Sequence, residues 1–83
     1  MIWFRIAAVG KEKVGRRFVG TCTMYIKKAE FRTSDPASVS RVSSTVKKGE
    51  AEKFGKLTAE RVSQALNDPK RWGLKTRVEP IEE

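Results

Sequence analysis

The residues FVGTCTMYIKKAEF (18–31) decide how the rest of the chain is read. Side chains along a strand point alternately to opposite faces, so residues of one parity share one environment. Phe18, Gly20, Cys22, Met24 and Ile26 form one set, and Val19, Thr21, Thr23, Tyr25 and Lys27 form the other. The first set is apolar or small, as a buried face requires. The run before it, Met1 to Val9, divides in the same way, with Ile2, Phe4, Ile6 and Ala8 against Trp3, Arg5, Ala7 and Val9. Two alternating runs in succession predict an antiparallel hairpin over residues 1–32, with one oily face and one face that is aromatic, small and basic.

At Lys27-Lys28 the apolar parity slips, because Ala29 and Phe31 continue it on odd positions. A β-bulge at the lysine pair accounts for the slip. The alternative is a strand that ends at Lys28 with Phe31 packing from a loop. Between the two runs, Gly10 to Arg17 (GKEKVGRR) reads as a connection longer than a two-residue turn, with a glycine near each end. Lys11, Lys13, Arg16 and Arg17 make it a cationic tip.

Beyond the hairpin, Ser34-Asp35-Pro36 carries the chemistry of a helix start, since serine or aspartate caps free amides and proline suits the first turn. Val39, Val42 and Val46 follow at helical spacing, but the valine, serine and threonine around them are poor helix formers. Residues 35–48 are therefore expected to form a weak helix or a loop. Glu50 to Asn67 predicts the main helix, with Ala51, Phe54, Thr58, Val62, Ala65 and Leu66 on one face and Leu57 widening it. Glu50 and Glu52 suit its start, and Asn67-Asp68-Pro69 ends it. Gly55 interrupts the run and marks either close approach to the sheet or a break between two helical pieces. Residues 74–78 alternate as a third strand, Leu74, Thr76 and Val78 against Lys75 and Arg77, and residues 79–83 form an acidic tail that frays or folds back on the hairpin. The expected fold class is α+β, a single small domain. It comprises a three-stranded antiparallel sheet, made of the N-terminal hairpin plus the C-terminal strand, packed on one main helix in the order ββ(α)αβ.

The chain has 83 residues, one cysteine and no histidine, so an internal disulfide and the commonest general base and zinc ligand are all missing. No metal, cofactor or catalytic set is expected, and the chain reads as a non-enzyme. Cys22, on the oily face, reads as a core thiol. No run approaches the length of a membrane span and no secretory signal is evident, so no membrane contact is expected and the expected setting is cytoplasmic.

Eighteen basic residues against ten acidic ones give a formal charge of +8. The excess is uneven: residues 1–28 carry seven basic side chains and one acid (+6), residues 29–49 four against two (+2), and residues 50–83 seven against seven (0). A localised positive field attracts polyanions. The expected function is a small, basic nucleic-acid-binding accessory protein of phage or bacterial type, with DNA or RNA as the partner. Lys11, Lys13, Arg16 and Arg17 would take phosphates at the tip, and Arg5, Lys27 and Arg77 would take them across the sheet. Trp3 and Tyr25 would offer stacking surfaces for bases. The alternative is a protein-interaction module, such as a mobile-element inhibitor or adaptor docking on an acidic protein or a nucleoprotein complex, or a homodimer closing its own sheet. Aromatic residues and arginine favour that class equally.

Overall fold

The computed structural model of the chain describes residues 2–81, and for residues 11–14, 18 and 19 it describes the backbone only. The side chains of Lys11, Lys13, Phe18 and Val19, and the end of the acidic tail, therefore lie outside the described residues. The fold is α+β: strands β1 (Phe4–Val14), β2 (Arg17–Phe31) and β3 (Val39–Thr45), helix α1 (Lys56–Asn67) and strand β4 (Thr76–Pro80). All strand pairs are antiparallel, in the order β3-β2-β1-β4. The sheet thus has four strands rather than three.

The added strand is β3, where a weak helix or loop was expected. Two causes decide it. Valine, serine and threonine suit a pleated, half-buried surface better than a helix. The capping chemistry upstream closes a turn instead. Asp35 Oδ1 accepts from the Ala37 N–H at 3.0 Å, the Asp35 carbonyl accepts from the Ser38 hydroxyl at 2.6 Å, and Ser38 Oγ accepts from the Thr33 N–H at 3.1 Å. Of the three spaced valines, Val39 is buried, Val42 is partly buried and Val46 is exposed.

β1 and β2 form the expected antiparallel hairpin, though only Gly15 and Arg16 lie between them where a longer connection over Gly10 to Arg17 was expected, and β2 continues through the lysine pair to Phe31 with a bulge between Ile26 and Lys28. The bulge leaves ladder groups without strand partners, and Glu52 takes them. The Ile26 carbonyl accepts from the Glu52 N–H at 2.9 Å, and Glu52 Oε2 accepts from the Ala29 N–H at 3.0 Å. Glu52→Ala is expected to cost about 1–2 kcal/mol, because the buried Ala29 amide loses its acceptor, and Glu52→Gln less, because an amide oxygen still accepts. Urea denaturation with an unchanged m-value checks this.

The main helix begins at Lys56, after Gly55, and not at Glu50. Lys48–Glu50 is a short 3₁₀ turn, and Phe54 forms an antiparallel bridge with Phe4, exchanging backbone bonds of 2.8 Å in both directions. Phe54 therefore reaches the core from an extended segment. The later start also sets the helix phase. Ala59, Val62, Ala65 and Leu66 are buried, whereas Leu57, five residues before Val62 and about 140° away around the helix, is 64% exposed. Ser63, buried beside them, shares a 2.6 Å hydrogen bond with Thr76 of β4.

One core lies between α1 and the sheet, built from Ile6, Ile26, Ala29, Val39, Phe54, Ala59, Val62, Ala65 and Leu66, with Phe4, Val42, Trp72, Leu74 and Val78 closing its margin. Trp72 follows the helix and seals one end. Cys22 is half-buried and is not a core residue. A Cβ built at Gly10 would stand 2.6 Å from Met24 Sδ, so glycine there lets the thioether lie against β1. The C-terminal strand runs two residues later than expected. Glu79, assigned to a frayed tail from sequence, pairs with Arg5 in the β1–β4 ladder, and the Ile81 N–H donates to the Trp3 carbonyl at 2.8 Å.

Candidate nucleic-acid interface

The outer strands cover only the lower half of the hairpin. β4 pairs with Phe4 to Ala8, with one further bond from the Val9 N–H to the Lys75 carbonyl, and β3 pairs with Tyr25 to Phe31. Above those points β1 and β2 pair only with each other, from Gly10↔Cys22 to Val14↔Arg17. Five residues of β1 at ~3.3 Å each, faced by six of β2 because the register shifts between Glu12 and Lys13, make a free two-stranded ribbon roughly 17 Å long. The expected long connection is instead strand almost to its end, closed by Gly15 and Arg16. Gly15 has φ of 63°, and among the described residues only Gly73 also has a positive φ. That pattern matches a II′ turn, which takes glycine at its first central position and suits the strand twist.

Lys11 and Lys13 are accordingly strand residues of the ribbon, while Arg16 in the turn and Arg17 beside it are exposed. The ribbon Gly10 to Gly20 carries four basic residues and one acid, a net charge of +3. These tip cations stand apart from the rest of the predicted set.

The sheet face opposite the helix gathers three of the others around Ala7, whose register partners are Tyr25 in β2 and Arg77 in β4. Ala7 is 1% exposed yet belongs to no core cluster, because the larger side chains of this face cover it. Arg5 lies over the Tyr25 ring, 5.9 Å from its centroid, so one face of that ring already has a cation against it. By strand parity Trp3 shares this face, and it is 39% exposed. Lys27, at the bulge, is exposed and joins no ion pair among the described residues.

Sequence reading missed the group that organises this face. Glu79 bridges two guanidinium groups, with Arg77 Nε 2.9 Å from Oε2 and Arg5 Nε 3.0 Å from Oε1. The Arg77 hydrogen bond, reinforced by that of Arg5, holds the Glu79 carboxyl below its ordinary pKa of 4.5, and partial burial opposes this. The signal was present in the sequence: continuing the alternation of Lys75 and Arg77 by one step puts Glu79 on the basic face. Lys48 was missed as well. With Arg5, Glu79 and Pro80 it lines a hollow of about 490 Å³.

The carboxylate neutralises one of the two arginines it touches, so Arg5, with a side chain only 12% exposed, is already engaged, while Arg77 at 61% remains accessible. Glu79→Gln removes that counter-charge. It is expected to raise polyanion affinity by about threefold at low salt and to steepen the salt dependence by up to one phosphate contact. The same contact has a pH signature. A depressed carboxyl pKa stabilises the fold above the ordinary value of 4.5 and loses that contribution as pH falls through the lowered pKa. Thermal melts from pH 7 down to pH 3 should show this component in the wild type and lack it in the Gln variant.

On the helix side, an apolar hollow of about 540 Å³ lies at the root of the ribbon, lined by Ala8, Gly10, Met24, Val42 and Leu74 among others, with Lys75 at its rim. Among the described residues no cluster of three or more His, Cys, Asp or Glu is placed to hold a metal, and no helix is long and apolar enough to cross a membrane. Comparison with family models, with curated proteins and with solved structures finds no match to this chain.

Proposed function

We propose that this chain is a small, non-enzymatic nucleic-acid-binding accessory protein that holds phosphates through its basic N-terminal hairpin. The observation that carries the reading is the free ribbon, a slender projection bearing Lys11, Lys13, Arg16 and Arg17 beyond the body of the sheet. Arg77, Lys27 and Lys48 extend the positive surface across the sheet, where Trp3 offers a ring for stacking and Arg5 with Tyr25 forms its floor. Titrating short single-stranded and duplex oligonucleotides while following tryptophan emission tests it. Binding that quenches emission in the wild type, but not in Trp3→Phe, assigns the sheet face to the interface. Absence of binding at low salt rejects the proposal.

A second reading, docking on an acidic protein or nucleoprotein complex in the cytoplasm, draws on the apolar hollow beneath the ribbon, which has the lining of a site for a partner's apolar side chain. A pull-down that captures protein after nuclease treatment favours it.

A further inference from the structure

We infer that the preferred partner is double-stranded DNA, entered through its major groove by the two-stranded ribbon. This deepens the nucleic-acid reading above and rests on it.

Three observations meet in the ribbon. Its length comes first. Between the last contacts of the outer strands and the Gly15-Arg16 turn it stands roughly 17 Å clear of the sheet, more than the ~8.5 Å depth of the major groove. Its thickness is the second. Strands lie about 4.8 Å apart, so a projection only two strands wide is of a size to enter a groove about 12 Å wide, and Gly10 and Gly20 add no side-chain bulk to it. The minor groove of straight B-DNA is about 6 Å wide and admits a ribbon only after the duplex is bent and the groove widened, at a deformation cost the major groove does not impose.

Charge is the third. The ribbon's net +3 belongs to residues near its end, and Arg16 and Arg17 are exposed there. Arginine at the floor of the major groove meets guanine O6 and N7, and at the groove walls it meets phosphate. Both ribbon edges also carry backbone N–H groups with no neighbouring strand among the described residues, further donors for phosphate oxygens.

The geometry discriminates among nucleic acids. A-form RNA has a deep, narrow major groove closed to side chains, and a single strand has no groove. A ribbon that works by insertion therefore separates DNA duplex from RNA duplex, whereas a cationic patch does not.

The test is fluorescence anisotropy with three duplexes of one sequence, about 20 base pairs each: DNA, RNA, and DNA whose cytosines carry glucosylated 5-hydroxymethyl groups that fill the major groove. Insertion predicts at least about tenfold tighter binding to DNA than to RNA, and a loss of about tenfold or more on glucosylation. A second protein replaces residues 12–20 by Asn-Gly, which closes the ladder at the Lys11↔Thr21 pair and leaves every core residue in place. It should bind weakly and without preference. Equal affinity for DNA and RNA duplexes, indifference to glucosylation, or an unaltered preference in the shortened protein overturns groove insertion and leaves phosphate binding standing. Failure to bind any probe overturns both.

Discussion

Reversing the two charges at the ribbon's end, Arg16→Glu together with Arg17→Glu, is expected to reduce affinity for duplex DNA by about 100-fold or more at low salt and to flatten the salt dependence by about two phosphate contacts. Each exchange changes the local charge by two, so the ribbon Gly10 to Gly20 passes from +3 to −1 and would repel a phosphate backbone rather than attract it. The fold should be untouched. Both arginines are exposed, neither joins an ion pair among the described residues, and the turn depends on the positive φ of Gly15 rather than on either side chain. Anisotropy titrations paired with thermal melts separate the two effects. Unchanged affinity in a protein that melts normally would remove the tip from the mechanism.

The largest expected effect on stability comes from Leu66→Ala. Leu66 is fully buried where α1 meets the sheet, among Ile6, Ile26 and Val62. Truncating it removes transfer energy and opens a cavity, for about 3 kcal/mol. A domain of this length has roughly 4–12 kcal/mol of stability in total, so the variant should melt about 15 °C lower or fail to fold at physiological temperature. Leu57→Ala is the control. As Leu57 is 64% exposed, its truncation should change stability by no more than about 0.5 kcal/mol. Denaturant titrations of the pair test the helix phase, since a helix running from Glu50 with Leu57 on its inner face would make both variants costly.

What was legible in the sequence had redundant signals. Alternation in two successive runs specified the hairpin and its buried face, and the parity slip at Lys27-Lys28 located the bulge, because a one-residue shift moves every later side chain to the other face. The sides of β4 could be read for the same reason. The region around Val39 was misread because a spacing of three to four residues between valines fits a helix, while a second irregularity between Glu30 and Phe31 and the neighbouring serines made the strand pattern faint. Asp-Pro chemistry serves a turn as readily as a helix start. Gly55 marked the true beginning of α1, but the apolar spacing of Ala51 and Phe54 continued the helical pattern across it. That spacing is satisfied instead by an extended segment bridged to Phe4.

The site was legible in part. Alternation brought Trp3, Arg5, Tyr25 and Arg77 to one face, and composition placed Lys11, Lys13, Arg16 and Arg17 near the hairpin's end, away from Lys27 at the bulge. What composition does not record is commitment. Arg5 looks the same in sequence whether it faces solvent or lies between Glu79 and Tyr25, and only the β1–β4 register reveals that it is tied down. Nor does a run of glycines and lysines distinguish a loop from a ribbon. The ladder from Gly10↔Cys22 to Val14↔Arg17 does, and it turns a diffuse charge into a shaped projection.

Phosphate contact by that projection is tested most directly by the salt dependence of wild-type binding to a labelled DNA duplex, measured by anisotropy between about 50 and 200 mM salt. Four ribbon cations on phosphates predict a straight line of log affinity against log salt with a slope of about −3 to −4, and steeper if Arg77, Lys27 and Lys48 take part. A slope near zero, or no binding even at the lowest salt, would contradict it.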